Sequence, residues 1–195
     1  GVEEGLATAD DAIWTRTFLA ATARDGDWKR LHPGLKAADV DVLAARAIKG
    51  ASGEEQLREV CQRVGAFRLL SATSALVAML KHEKGVTRAL AARTLGEMRA
   101  RDSAGAIAAL LKDEHSGVRV EAVIALGCTG DSLESLTPAL VDTSPAVRMN
   151  AAAAVAEIGG AGAVDRVAPL LKDTDLGVRV CSAQAMCRLG SRDGI

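Results

Sequence analysis

Four stretches of this chain repeat one another at intervals of about thirty residues: Leu80 to Arg88, Leu111 to Arg119, Val141 to Arg148, and Leu171 to Arg179. Their arginines stand at 88, 119, 148 and 179, in steps of 31, 29 and 31. A period of that length restricts the chain to a stacked array, because a single unit is too small to bury its own apolar face. An alanine-rich run follows each arginine and closes on Leu95-Gly96, Leu126-Gly127, Ile158-Gly159 and Leu189-Gly190. A fainter unit precedes these. Its Val64-Gly65 lies 31 residues before Leu95-Gly96, and Leu57 takes the place of the repeated arginine.

Each period reads as two helices. The first, such as Ser103 to Lys112, carries Ile107, Leu110 and Leu111 at i, i+3, i+4 spacing. A short polar turn follows, with Asp, Ser or Thr placed to cap the next helix. The second helix, such as Gly117 to Leu126, presents Val118, Ala122, Ala125 and Leu126 on one side. The closing glycines are expected to end these helices in the left-handed conformation. Pro138 and Pro169 fall inside first helices and predict kinks there. Composition agrees: 38 alanines stand against two Phe, two Trp and no Tyr, which suits closely approached helices and excludes a sandwich or barrel.

The expected organisation is an out-of-register helical cap over 1–43, a degenerate repeat over 44–70, and four repeats over about 71–99, 100–130, 131–160 and 161–190. Ile13, Trp14, Phe18 and Ala21 share one face of a helix predicted from Asp10 to Ala23, bulky enough to close the end of a stack. Arg24-Asp25-Gly26-Asp27 reads as a turn, and Leu31-His32-Pro33-Gly34 as a break. Ser191-Arg192-Asp193 aligns with Ala100-Arg101-Asp102, so a truncated further repeat is expected to start there. A chain that opens on Gly1 reads as a piece of a longer protein, and an uncovered last pair predicts apolar surface open to self-association.

Lys plus Arg (24) nearly cancels Asp plus Glu (25), so no global field draws the chain to nucleic acid or an anionic membrane. No apolar run is long enough to span a bilayer. Cys61, Cys128, Cys181 and Cys187 lack C-x-x-C spacing and point to a reduced, cytoplasmic protein. Catalytic signatures such as G-x-S-x-G, a Walker loop or H-E-x-x-H are absent.

The Asp-x5-Arg pairs Asp113/Arg119, Asp142/Arg148 and Asp173/Arg179, each followed by an alanine-rich helix, resemble the HEAT-repeat family. They are most similar to its phycobilisome-lyase-like, short bacterial branch. The first clear unit departs from the pattern, with His82 in place of Asp and Thr87 in place of Val.

The resemblance implies an all-α solenoid, a right-handed superhelix of stacked antiparallel helix pairs. It also implies a structural ladder in which Asp113, Asp142 and Asp173 bond Arg119, Arg148 or Arg179 across neighbouring units. In such a fold second helices line the concave face, where Ala89, Val120, Met149 and Val180 would form a row widened by Ile124. Only Arg93 is basic among the outward positions and no aromatic is there to stack, so a DNA cradle of the kind some HEAT proteins build is not expected. One His82-Glu83 and one Glu114-His115 fall short of the several His-Glu pairs of the di-iron HEAT hydroxylases, so neither metal nor cofactor is expected. The leading expectation is a non-catalytic scaffold binding another protein on the concave row. The alternatives are a bilin lyase or isomerase subunit, as the branch implies, and a spacer or dimerisation arm of a larger protein.

Overall fold

In a computed structural model, which describes residues 11–22, 37–51, 53–130 and 132–193, the alanine-rich runs are the second members of helix pairs. The helices are α1 (Asp11–Ala21), α2 (Ala37–Gly50), α3 (Glu54–Phe67), α4 (Thr73–Met79), α5 (Gly85–Glu97), α6 (Ala104–Ala109), α7 (Ser116–Thr129), α8 (Leu133–Leu136), α9 (Pro145–Ile158), α10 (Ala163–Val167) and α11 (Leu176–Asp193). No strand occurs among the described residues. The long helices α5, α7, α9 and α11 pack side by side, each on the next, while the short helices form the other layer. This is an α-solenoid.

Two columns of side chains explain why the pairs stack. Leu76, Ile107, Leu136 and Val167 point inward from the short layer, and Val64, Leu95, Leu126 and Val155 from the long one; all are fully buried. Each such side chain contributes about 1.5–3 kcal/mol by leaving water, and part of its cover comes from the adjacent unit. A lone pair would lose that share.

The first helices are composite. In the second repeat a 3-10 turn at Arg101–Ser103 leads into α6, which tightens again into 3-10 at Leu110–Lys112. Pro138 and Pro169 begin such tightened segments, Thr137–Val141 and Ala168–Lys172. The prolines therefore redirect the chain rather than bend a continuous helix. Leu110 makes the same transition without one, so the turn that follows also demands it.

Of the closing glycines, Gly159 ends its helix, α9, as expected, and the others do not. Gly65, Gly96, Gly127 and Gly190 lie within α3, α5, α7 and α11 and end none of them. The chain turns three residues later, at Arg68 (φ 50°), Arg99 (φ 53°) and Gly130 (φ 67°), and at the equivalent Gly159 (φ 69°). Gly96 and Gly127 serve close approach instead. A Cβ on Gly96 would stand 2.7 Å from the Ala125 Cα, and one on Gly127 3.0 Å from the Ala154 Cβ.

At the N-terminal end, α1 packs against α2 and α3. Phe18 is fully buried there, and the Thr15 hydroxyl donates to the Ala47 carbonyl at 3.2 Å. The helix pair preceding α4 begins at Ala37, ahead of residue 44. The side chains of Ile13, Trp14 and Ala21, the turn at 24–27, Trp28 and the break at 31–34 lie outside the described residues. At the other end α11 runs without interruption through Asp193, where Arg101–Ser103 of the second repeat breaks into 3-10. No described helix is long and apolar enough to cross a membrane.

Candidate functional site

The repeated Asp and Arg meet across the three interfaces from α5 to α11. Arg88 donates Nε and Nη2 to the Asp113 carboxylate at 2.7 and 2.9 Å. Arg119 holds Asp142 at 2.7 and 2.8 Å, and Arg148 holds Asp173 at 2.7 Å through both nitrogens. These forks are bidentate and charge-assisted, the strongest geometry available to the pair. The third donor, Nη1, turns back on the arginine's own unit: Arg119 reaches the Asp113 carbonyl at 2.8 Å and Arg148 the Asp142 carbonyl at 2.7 Å. One guanidinium thus closes its own turn and clamps the next.

Each aspartate also accepts an amide two residues on, from His115, Ser144 or Asp175 at 2.8–2.9 Å. The turn aspartates therefore tie the turn rather than cap the following helix. Asp175 caps instead, accepting the Val178 amide at 3.1 Å.

The electrostatics follow. The Arg148 fork and the Asp175 amide hold the Asp173 carboxyl down at about 2. Asp142 is lowered by the Arg119 fork first, against its burial. Burial alone would raise Asp113, but the Arg88 bond and the His115 amide outweigh it and the group is lowered. Side chains in these rungs are only 6–13% exposed, so water screens them little.

Two sequence departures explain each other. Leu57 replaces the arginine of the unit before Arg88, and His82 replaces the aspartate that it would have gripped. His82 keeps the turn, its Nδ1 accepting the Lys84 amide at 3.1 Å, but no rung forms between α3 and α5. A cleft of about 180 Å³ opens there, lined by Glu54, Leu57, Arg58, Val86, Leu90 and Arg93. Nothing in the repeat signature of either unit taken alone would have found it.

The second-helix row divides into two depths. Ala89, Val120 and Met149 are half-buried and pack on the core. Met149 lies over Gly177, where a Cβ would meet its sulfur at 3.1 Å. Ile124 (38% exposed) and Val180 (48%) stand open. Ile124 belongs to an exposed column with Arg93, Ala153 and Gln184. Arg93 is engaged by Glu121 of the next helix, its Nε 3.0 Å from Oε2.

Arg179 closes its own turn at the Asp173 and Thr174 carbonyls, 2.8 and 3.1 Å away. Among the described residues no carboxylate meets its other edge. All four cysteines are free. Cys61 is buried, and that burial pushes its thiol up to about 12, against a hydrogen bond shared with Thr94, which leaves little reactive thiolate. No group of three or more His, Cys, Asp or Glu suited to a metal ion occurs among the described residues.

Stacked helix pairs joined by an arginine–aspartate rung define an α-solenoid of short repeats. The family model for HEAT repeats matches residues 73–139 and 133–195. The chain belongs to the HEAT-repeat family. No curated protein matches it. Its fold is similar to three crystal structures of engineered proteins from the Northeast Structural Genomics Consortium. The first has a TM-score of 0.61 at 18% identity, covering 95% of this chain and 94% of that one. The second has a TM-score of 0.55 at 20% identity and 96% coverage of both. The third has a TM-score of 0.57 at 18% identity, over 90% of this chain and 53% of the other.

Proposed function

We propose that this protein is a non-catalytic cytoplasmic scaffold that binds a helix or extended segment of another protein along the exposed face of α5, α7, α9 and α11. The observation that carries this reading is the uncharged strip at mid-stack. Ile124 and Ala153 stand exposed there above half-buried Val120 and Met149. The contacts of Gly96 and Gly127 let the long helices approach closely, which supports their lying on the inner side of the curve. Such a face is ordered before binding, so association loses little conformational entropy. HEAT repeats in general act as protein-interaction scaffolds, and this agrees.

The test is site-specific photocrosslinking in cells that express the protein. A photoreactive residue at Ile124 or Ala153 should trap one discrete protein, and the same residue at Ala109, exposed on the short layer, should not. Equal trapping at Ala109, or none at either inner position, rejects the assignment. The likeness of the Asp-x5-Arg units to phycobilisome-lyase-like repeats supports a second reading, a bilin lyase or isomerase subunit. An unchanged absorbance spectrum on adding a linear tetrapyrrole would dispose of that.

A further inference from the structure

One buried hydroxyl in the cleft between α3 and α5 has nothing to bond. Thr87 stands where the later repeats have Val118, Val147 and Val178, and like them it is buried, at 5% exposed. A valine makes no hydrogen-bonding demand at that depth. The Thr87 hydroxyl does, and it has no partner among the described residues. Thr87 lines the cleft of about 180 Å³ that the missing rung leaves, together with half-buried Leu57 and Leu90.

The charges around the cleft are paired except for one. Glu54 meets Lys84 at 3.4 Å, and Arg93 is engaged by Glu121. Glu97, further along α5, turns its carboxylate onto Gly65. Arg58 lines the cleft, is exposed, and has no ion-pair or hydrogen-bond partner among the described residues. It lies 31 residues before Ala89, at the repeat position of Ala89, Val120 and Met149. The second-helix row therefore starts on a cation and continues uncharged.

We propose that this cleft binds a carboxylate side chain, an Asp or Glu flanked by aliphatic residues, carried by the protein segment that lies along the long helices. The proposal rests on the reading of that face as a protein-binding strip and names the chemistry of its first anchor. The carboxylate accepts from the Arg58 guanidinium and from the Thr87 hydroxyl, and the flanking aliphatic side chains cover Leu57 and Leu90. An acid answers both donors at once. A glutamine would offer one neutral carbonyl and leave the cation uncompensated. A single charge at one end of an uncharged strip also fixes the register of the bound segment.

Selection from a displayed library of random peptides on the folded chain tests this. Binders should carry Asp or Glu beside aliphatic residues. Arg58→Glu should weaken them by about tenfold or more, and should select Lys or Arg at the same place from the same library. Thr87→Val should weaken them several-fold, yet raise the Tm of the unliganded protein by about 2–4 °C, because it removes an unpaired buried hydroxyl. Binders that lack an acid or ignore Arg58→Glu overturn the proposal, as does a selection that yields none. A lowered Tm for Thr87→Val overturns it too, by giving the hydroxyl a structural role. Ile124→Glu separates the two readings. Binders lost to Ile124→Glu but indifferent to Arg58→Glu keep the strip and reject the acid site, and the reverse pattern keeps the acid site and rejects the strip. Displacement of the peptides by an equal concentration of free glutarate would assign the cleft to a small carboxylic acid instead.

Discussion

Gly96 faces Ala125 so closely that a side chain on the glycine would stand 2.7 Å from the Ala125 Cα. The obstacle is backbone, which no rotamer change relieves. Gly96→Ala should therefore force α5 and α7 apart and destabilise the protein by about 1–3 kcal/mol. Gly127→Ala, which meets a methyl group at 3.0 Å, should cost less. Gly105→Ala meets nothing within 4 Å and should stabilise by about 0.5–1 kcal/mol through helix propensity. Urea unfolding of the three variants checks the order, and equal effects at 96 and 105 would refute the close-approach role.

The Arg119–Asp142 rung predicts a hierarchy. Asp142→Ala removes one bidentate fork and the acceptor of the Ser144 amide, a loss of about 1.5–3 kcal/mol. Arg119→Ala should cost more, because it also releases the Asp113 and Glu114 carbonyls of its own turn. Arg119→Lys cannot reproduce the fork and should fall near the alanine variant. The double variant should be less damaging than the sum of the singles. Thermal melts detect this, at about 2–4 °C per kcal/mol for a chain of this size.

Acid should open the ladder. Asp173 is lowered from 3.8 to about 2 in the folded state. Its contribution is present in full above the unfolded value and is lost as pH falls through the window from about 4 to about 2. Asp113 and Asp142 are lowered in the same sense. Stability should be insensitive to these groups between pH 5 and 7, as orders of magnitude of protonation separate them from that range, and should decline below pH 4. Asp173→Asn should flatten the decline. A variant with the same acid limb as the parent would contradict it.

The missing rung can be rebuilt. Leu57→Arg alone places a guanidinium without a partner, and His82→Asp alone a carboxylate without one. Together they should couple favourably by about 0.5–3 kcal/mol in a double-mutant cycle. The same pair should narrow the cleft beside Leu57 and Leu90. Zero coupling would show that α3 and α5 do not share the geometry of the later interfaces.

The period of the arginines carried most of the architecture. Leu76, Ile107, Leu136 and Val167 recur at 31, 29 and 31, so the buried column could be read from spacing alone. The partner of Asp113 could not. The same signature allows an aspartate to face the arginine before it or after it, and Arg88 wins because each fork reaches forward one unit. Gly96 and Gly127 misled for a related reason. A glycine near the end of an alanine run has the composition of a terminator whether it releases the backbone or admits a neighbouring helix, and only the position of Ala125 distinguishes the two.

The amino-acid order, then, determined the helix pairs, their number of residues per turn of the stack and the side chains each must hide, because these follow from local periodicity and from the need to bury what recurs. What lay beyond it was depth. Val120 and Ile124 are one helical turn apart and alike in chemistry, yet the first is half-buried and the second stands open. The path of the adjacent helix decides that, and adjacency across a stack is a property of the assembled layers, which no stretch of thirty residues contains.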